Sequence, residues 1–169
     1  AGIRFVPFTG DAAVHPAEFA AEQTRSQPGP EQLNWYFDRL MVSRMGAEHE
    51  QIQRLLAEAG EPVVLITDQS CLGGWPSVLG APGPRPAAFI ALGISPLFIP
   101  SADVDPIAAT PATTDEERAG AAAANAALRE MTRPGEERLA KALADLGVTE
   151  TVPTYFDGYA TVCDAILQL

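Results

Sequence analysis

The chain has 169 residues, and its 22 acidic and 11 basic side chains give a formal net charge of −11 at pH 7. This length is enough to bury one sizeable hydrophobic core, and a hydrophobic content of 47% is typical of a folded globular domain. The acidity and the lack of a lysine or arginine cluster argue against a nucleic-acid partner, whose phosphates require concentrated positive charge. The same two features give no strong indication of binding to a membrane surface.

The sequence shows neither a membrane-spanning segment nor a secretory signal. No apolar stretch approaches the roughly 20 residues that a bilayer-spanning helix needs. No basic segment leads into an apolar run near the start, so we expect a cytoplasmic protein. The chain begins at Ala1 without a methionine and ends on the apolar run 165–169, which we interpret as the cut ends of a longer protein.

The cysteines and histidines do not predict a metal site. Cys71 and Cys163 are far apart and have no partners at metal-ligand spacing, so we interpret them as reduced core residues. His15 and His49 form no recognisable ligand pattern. We interpret His15 as a loop histidine and keep a catalytic role for it as the alternative.

The first predicted elements are a short strand and a long helix. Residues 3–8 alternate β-favouring side chains and predict the strand, and the polar residues 22–30 predict a loop. Apolar side chains at steps of three and four predict an amphipathic helix over residues 31–59, with a break allowed at Gly46 and a stop at Gly60.

Two buried strands follow this helix. The continuous apolar run 63–67 predicts a strand in the middle of a parallel sheet, because both of its faces are apolar. Residues 75–79 predict a short helix, and residues 87–92 predict the second buried strand. A long proline-rich loop then covers residues 93–112.

The last third predicts two helices and the final strand candidates. One helix begins at the cap Thr114 and ends near Met131, and another runs from Pro134 to Gly147. Residues 154–156 and 164–169 are the last strand candidates. The alternation of strands and helices predicts one α/β domain over residues 1–169, with a Rossmann-like parallel sheet and flanking helices.

Two loops lie where open α/β sheets bind their ligands, beyond the carboxyl ends of the strands: residues 68–75 and 93–106. Asp68 stands at the tip of the first buried strand, where a carboxylate can orient a histidine or accept a hydrogen bond from a substrate hydroxyl. The alternative is that Asp68 caps the short helix that follows.

The other polar or aromatic residues of the first loop carry weaker signals. Gly73 and Gly74 favour a tight turn over a phosphate cradle, because neither GxGxxG nor GxxxxGK[ST] is present. Ser70 lacks the GxSxG context of a hydrolase nucleophile. Trp75 is either a pocket-lining residue or a core residue.

The sequence VVLITDQSCLGGW at residues 63–75 and LGAPGPRP at residues 79–86 resemble bacterial macrolide-type, UDP-glycosyltransferase-like enzymes, as do segments 93–97, 101–103 and 164–169. The resemblance implies the GT-B fold, in which two Rossmann-like domains face each other across a cleft. The N-terminal domain holds the acceptor and the C-terminal domain holds the sugar nucleotide. The resemblance covers nearly the whole chain, but only the middle and end of the acceptor domain.

This resemblance also implies roles for single residues. Asp68 matches the aspartate that orients and charge-stabilises a histidine base, which deprotonates the acceptor hydroxyl for inverting attack on the anomeric carbon of the sugar. The remaining matched residues would line the pocket for a small hydrophobic acceptor, such as a natural product or a lipid-like alcohol: Gln69, Ser70, Trp75, Ser95, Pro96, Leu97 and Ser101.

The base histidine and the nucleotide-sugar domain of that family have no counterpart in these 169 residues. The resemblance therefore implies a partial acceptor-binding domain that is inactive alone and binds no cofactor, because the nucleotide-sugar donor would bind the absent C-terminal domain. We expect such a part to self-associate through exposed surface. The alternative function is a non-catalytic α/β module for small-molecule binding or protein interaction.

Overall fold

The computed structural model describes residues 2–25, 28–93, 101–106, 110–151 and 154–168. The helices are α1 (Pro16–Gln23), α2 (Pro30–Phe37), α3 (Ser43–Ala59), α4 (Trp75–Val78), α5 (Asp115–Asp145) and α6 (Tyr155–Val162). The strands are β1 (Val64–Asp68), β2 (Ala88–Gly93) and β3 (Ala165–Gln168). A π-helical turn (Asp38–Val42) joins α2 to α3, and 3₁₀ turns lie at Gly10–Ala12 and Leu72–Gly74. None of the helices in these ranges is long and apolar enough to cross a membrane.

The three described strands form one parallel sheet in the order β1-β2-β3, which confirms the predicted α/β class. Ile66 of β1 lies opposite Ile90 of β2, which lies opposite Ala165 of β3. The prediction that residues 63–67 lie in the middle of the sheet is wrong for the described part, where β2 is central and β1 is an edge strand. Both faces of β1 carry apolar side chains, but this pattern does not mean that both faces are buried.

Helices cover one face of the sheet and leave the other open in the described part. Leu65 and Phe89 point toward the helices, where the core gathers residues from α3, α4, α5 and the loop after β1. The fully packed members of this core are Met45, Leu72, Trp75, Leu79, Phe89, Leu139 and Leu143. On the opposite face Val64 and Ile66 are each 52% exposed, and Leu167 of β3 is 50% exposed.

The predicted long helix is confirmed as a helical run over residues 30–59. Gly46 lies inside α3 and does not interrupt it. The irregularity comes earlier, at the π-helical turn Asp38–Val42. The run ends at Gly60, whose left-handed backbone (φ 65°) is the usual helix-ending conformation for glycine.

The predicted strand over residues 3–8 is wrong. This segment pairs with no strand in the described part and lies along α3 instead, where Arg4 pairs with Glu58 (Nη2–Oε2 3.1 Å) and Gln51 Nε2 donates to the Pro7 carbonyl at 2.8 Å. Ile3 is fully exposed. Alternating β-favouring residues form a strand only where a sheet edge receives them, and this segment reaches none. The helix α1, which follows it, was not predicted.

The two helices predicted over residues 114–147 form a single helix, α5, with Pro134 inside it. Proline removes one N–H from the helical ladder and usually ends a helix. Here Asn34 of α2 repairs the break, because its Nδ2 donates to Met131 O at 2.7 Å and its Oδ1 accepts from Gly135 N at 3.1 Å. These two backbone groups are the i→i−4 partners of an unbroken helix.

Of the last two strand candidates, one is confirmed and one is wrong. Residues 165–168 form β3, and Asp164 joins it to β2, since its Oδ2 accepts from Phe89 N at 2.7 Å. Residues 155–156 instead begin α6, because Thr154 Oγ1 accepts from Asp157 N at 3.2 Å and caps the helix. The local aromatic residues favour a strand, but the cap decides for a helix.

Candidate functional site

An apolar cavity of about 480 Å³ lies beside the end of β1. Its walls come from α2, the π-helical turn, α5, α6 and the loop after β1, and among the described residues that line it none has a charged side chain. The lining residues are Leu33, Tyr36, Phe37, Leu40, Met41, Gln69, Pro106, Leu128, Met131, Tyr155 and Phe156. A cavity of this size and composition suits a small apolar molecule, which a few polar groups would orient.

The helical wall of the cavity includes the π-helical turn. Leu33 and Phe37 face the cavity from α2, one turn apart. Leu40 and Met41 follow within the π-helical turn itself and continue the same apolar stripe. π-helical turns are rare and occur frequently at functional sites, so this one marks the cavity independently of its apolar lining.

A cluster of aromatic rings joins the α2 side of the cavity to α6 and forms its aromatic wall. The ring centre of Phe37 lies 4.6 Å from that of Tyr155 and 5.7 Å from that of Phe156, both in edge-to-face geometry. Glu136 of α5 holds this wall in place by accepting from Tyr155 N at 2.8 Å. Burial raises the pKa of the Glu136 carboxyl, and this hydrogen bond partly opposes the shift.

Asp68 closes the turn at the start of the loop after β1. Its Oδ1 accepts from both the backbone N (2.7 Å) and the hydroxyl of Ser70, and its carbonyl accepts from Cys71 N at 3.2 Å. This side chain therefore caps a turn rather than α4. Its other oxygen, Oδ2, makes no hydrogen bond within the described residues. The carboxylate is thus held in one orientation with an oxygen left to serve another group.

The structure separates the predicted site residues into groups. Gln69 lines the apolar cavity, and Ser70 is bonded to Asp68 at its edge. Trp75 does not line the cavity; it is 1% exposed and belongs to the core, where its indole lies against Gly158. The core interpretation of Trp75 is therefore the correct one.

The second predicted loop is only partly within the described residues. Ser101 does not line the cavity: its carbonyl accepts from Asn125 Nδ2 at 2.9 Å, and its hydroxyl accepts from Asp103 N at 3.0 Å. It is the neighbouring Pro106 that reaches the cavity. Ser95, Pro96 and Leu97 lie outside the described residues.

Sequence reasoning missed the residues that α5 and α6 supply. Leu128 and Met131 stand on a helix whose apolar face was not assigned to a site, and Tyr155 and Phe156 were assigned to a strand. The signal that was available is the apolar stripe of residues 33–41, in which Leu33, Phe37 and Leu40 line the cavity and are not part of the core cluster. The cavity residues that α5 and α6 supply lie more than 80 residues further along the chain.

The two cysteines are partly buried thiols whose raised pKa values make them poor nucleophiles. Burial and the neighbouring Glu48 carboxylate raise the pKa of Cys71 to about 12, and burial raises that of Cys163 to about 11. Both thiols therefore stay protonated at neutral pH. Because only the thiolate is reactive, neither thiol is a good nucleophile. His15 is exposed just before α1, and His49 is buried, which lowers its pKa. Within the described ranges no group of three or more His, Cys, Asp or Glu side chains is placed to hold a metal ion.

Comparison with known proteins points to one class of enzyme. Over its whole length the chain is 29% identical to UDP-glycosyltransferase 2 of Phaeomoniella chlamydospora and covers 39% of that protein. It is 35% identical over 112 residues to UDP-glucosyltransferase A1 of Starmerella bombicola, an alignment that covers 59% of this chain and 23% of the relative. It is 30% identical over 105 residues to UDP-glucosyltransferase B1 of the same yeast, covering 59% of this chain and 24% of the relative.

The chain is similar to UDP-glycosyltransferases. It spans between about a quarter and two fifths of the length of these relatives. The relatives are fungal, so they support the predicted glycosyltransferase resemblance in general and add nothing for its bacterial, macrolide-type subgroup. No protein-family model and no solved structure matches the chain.

Proposed function

We propose that this chain is the acceptor-binding part of an inverting glycosyltransferase of the GT-B type. The enzyme would move a sugar from a UDP-sugar to a hydroxyl of a small hydrophobic acceptor. The observation that carries the proposal is the apolar cavity at the end of β1, lined by Gln69, the residue after Asp68. Sequence similarity to UDP-glycosyltransferases supplies the reaction class.

In this function the cavity binds the apolar body of the acceptor and leaves its hydroxyl at the loop after β1. Burial of apolar surface against the aromatic wall supplies most of the affinity, at about 25 cal/mol per Å². In this proposal the amide of Gln69, which lines the cavity, orients the hydroxyl. Since the described lining is uncharged, an acceptor that is charged at its buried end would lose hydration without gaining a partner there.

Asp68 would act through a histidine base. Ser70 fixes Oδ1 of the carboxylate, and Oδ2 is left to accept from the imidazole and to stabilise the cation that forms when the hydroxyl loses its proton. The hydroxyl oxygen then attacks the anomeric carbon, and the bond from that carbon to the nucleoside diphosphate breaks. The histidine and the UDP-sugar site belong to the longer protein in this proposal, and Asp68 is the positioning residue contributed here.

The test uses the longer protein that contains this chain, incubated with UDP-glucose and a panel of uncharged hydrophobic alcohols, with products identified by mass spectrometry. We expect sugar transfer, and we expect Asp68→Asn to lower kcat at least about tenfold with the KM for UDP-glucose unchanged. Asparagine keeps the oxygen that Ser70 binds, so the turn is preserved. The control is Asp115→Asn, which removes an exposed carboxylate from the start of α5. Absence of transfer with every UDP-sugar and alcohol contradicts the proposal.

A non-catalytic binding module is the second candidate. The observation that favours it is the turn itself, because capping is a sufficient structural role for Asp68. In that case the longer protein transfers no sugar, while the cavity binds an apolar fluorophore such as Nile red in both the wild type and Asp68→Asn. Sugar transfer by the wild-type longer protein, lowered by Asp68→Asn, decides for the glycosyltransferase.

A further inference from the structure

We propose that Glu48 and His49 of α3 are positioning residues, which hold Gly73 by both of its backbone polar groups and so fix the loop after β1 (residues 68–74) beside the apolar cavity. The inference rests on the proposed function, because the position of this loop matters for transfer only if the loop meets the acceptor. Neither residue touches the cavity, so both would act through the loop.

Two contacts fasten the loop to α3. Gly73 N donates to Glu48 Oε2 at 3.2 Å, and His49 Nδ1 lies 3.1 Å from Gly73 O. A carbonyl oxygen only accepts, so the Nδ1 of His49 must carry the hydrogen in this contact. The backbone N–H and C=O of Gly73 are thus held by two consecutive residues of one helix.

The loop backbone lies directly on the helix backbone at this point. A Cβ at position 73 would be 2.4 Å from Glu48 Cβ, 2.9 Å from the Glu48 carbonyl carbon and 2.9 Å from His49 N. These distances are below any normal contact, and two of the three atoms belong to the backbone and cannot turn away. Only glycine allows the approach that brings the N–H within reach of the Glu48 carboxylate.

The burial of Glu48 is not explained by packing. The side chain is 0% exposed, and its Oε1 lies 2.8 Å from Arg44 Nη2 but makes no hydrogen bond within the described residues. The Arg44 guanidinium instead donates to the Ala12 carbonyl through Nε (3.1 Å) and Nη2 (2.9 Å). An apolar side chain would fill this space at a lower cost in stability than a buried carboxylate. The two oxygens of Glu48 serve different groups, because Oε1 pairs with the Arg44 guanidinium and Oε2 accepts from Gly73 N, which is the contact that reaches the loop.

We call the two contacts of Glu48 and His49 with Gly73 the clamp, and they complete the restraint of the loop after β1. At its start, Asp68 holds Ser70 N and Cys71 N through its side chain and its carbonyl. At its end, α3 holds Gly73. Gln69 lies between the restrained residues and faces the cavity. Release of Gly73 would therefore loosen the loop that carries the polar groups of the site.

The first test measures amide hydrogen exchange by NMR in the 169-residue chain. Glu48→Met removes the acceptor and keeps the side-chain length, so the amides of Ser70, Cys71 and Gly73 should exchange at least about tenfold faster, while those of α5 stay unchanged. Glu48→Gln keeps an acceptor oxygen and should restore most of the protection. The matched control is Glu50→Met, at an exposed position of the same helix. Unchanged exchange at the loop in Glu48→Met overturns the proposal.

The second test needs no variant and therefore remains decisive if Glu48→Met does not fold. Long-range ¹H–¹⁵N spectra of the unmodified chain report which ring nitrogen of His49 is protonated. The clamp requires hydrogen on Nδ1. An Nε2–H tautomer overturns the proposal, because His49 would then have no hydrogen to donate to Gly73 O.

The third test separates this inference from the proposed function. In the longer protein, Glu48→Met should lower kcat for sugar transfer at least about tenfold at an unchanged KM for UDP-glucose, and Glu48→Gln should recover it. If Asp68→Asn slows transfer while Glu48→Met does not, the clamp is wrong and the proposed function stands. If no transfer occurs at all, the proposed function is wrong, and the exchange and tautomer measurements decide the clamp by themselves.

Discussion

At the scale of single residues, the contact between Trp75 and Gly158 shows how tightly the core is closed. The indole of Trp75 lies against the backbone of α6, and a Cβ on Gly158 would come within 1.9 Å of its Cη2. A buried indole in a packed core has little room to move aside. The glycine at position 158 is therefore what allows α6 to pack on the core and to present its aromatic residues to the cavity.

We expect Gly158→Ala to lower the free energy of unfolding by about 1–3 kcal/mol, measured by urea denaturation, because the added methyl group overpacks the core. The control is Gly120→Ala in α5, where no neighbouring atom lies within 4 Å of the new Cβ. That change should raise the free energy of unfolding by about 0.5–1 kcal/mol, since alanine is the better helix former. Equal effects of the two substitutions would contradict the contact.

Cys71 offers a second test at this scale. With a pKa of about 12, it has almost no thiolate at neutral pH. We expect iodoacetamide at pH 7.5 to modify it at least about a hundredfold more slowly in the folded chain than in urea, followed by intact-protein mass spectrometry. Equal rates in the two conditions would show that the thiol is neither buried nor adjacent to the Glu48 carboxylate.

At the scale of the elements, the long helix α5 depends on a side chain from another helix. Asn34 supplies the donor and the acceptor that the proline-interrupted ladder needs at Met131 and Gly135. These contacts join residues about 100 positions apart in the chain. The continuity of α5 is therefore a tertiary property, and with it the position of the cavity wall formed by Leu128 and Met131.

We expect Asn34→Ala to lower the free energy of unfolding by about 1–3 kcal/mol, because two partly buried backbone groups lose their partners. The matched background is Pro134→Ala, in which the helix regains the missing N–H and, without the proline ring, Gly135 N can bond to Met131 O directly. There Asn34→Ala should cost clearly less, and the difference measures the coupling. Denaturation of the wild type, the two single variants and the double variant measures this coupling energy. A value of zero would contradict the proposed role of Asn34 at the proline-interrupted part of α5.

The start of α5 predicts an acid-sensitive stability. Hydrogen bonds from the side chain and backbone of Thr113 and from the backbone of Thr114 lower the pKa of Glu117 to about 2. A carboxyl whose pKa is lower in the folded state stabilises the fold above its ordinary pKa near 4.5. That contribution disappears as the pH falls from about 4.5 toward about 2.

Glu117→Gln should therefore destabilise the chain at pH 7 and have a much smaller effect near pH 2, where the wild-type carboxyl is protonating as well. Thermal unfolding at the two pH values measures the difference. Glu116→Gln is the matched control, because it removes a neighbouring exposed carboxylate from the same helical turn. A Glu117→Gln effect that does not depend on pH would contradict the role of this capping box.

At the scale of the whole molecule, the open face of the sheet is the feature with the largest consequence. Val64, Ile66 and Leu167 lie on this face and are each about half exposed, and no described helix covers them. Parallel sheets in stable proteins are normally covered on both faces. An apolar surface of this kind promotes association in water.

We accordingly expect the 169-residue chain to self-associate with increasing concentration in sedimentation velocity experiments. Ile66→Lys places a charge at the centre of the open face and should shift the chain toward the monomer. Val14→Lys is the control, because it adds the same charge at an exposed apolar residue outside the sheet. A wild-type chain that remains monomeric at high concentration would contradict this prediction.

Local patterns in the sequence were reliable where the structure depends on local forces. The strands β1 and β2 and the helical run over residues 30–59 follow directly from the pattern of apolar residues. Two of the errors fall where a distant partner decides the outcome. Residues 3–8 lack a sheet edge and lie on α3, and Pro134 remains within a helix because Asn34 bonds across the gap.

The same division holds for the candidate site. The sequence by itself determined the acidic character, the α/β class and the loop after β1 with Asp68 and Gln69, since these depend on composition and on neighbouring residues. Only the tertiary structure decided that Trp75 enters the core, that α2, α5 and α6 enclose an apolar cavity, and that α3 clamps Gly73. The physical reason is that local periodicity shows which face of an element is apolar, whereas packing between distant segments decides what that face meets.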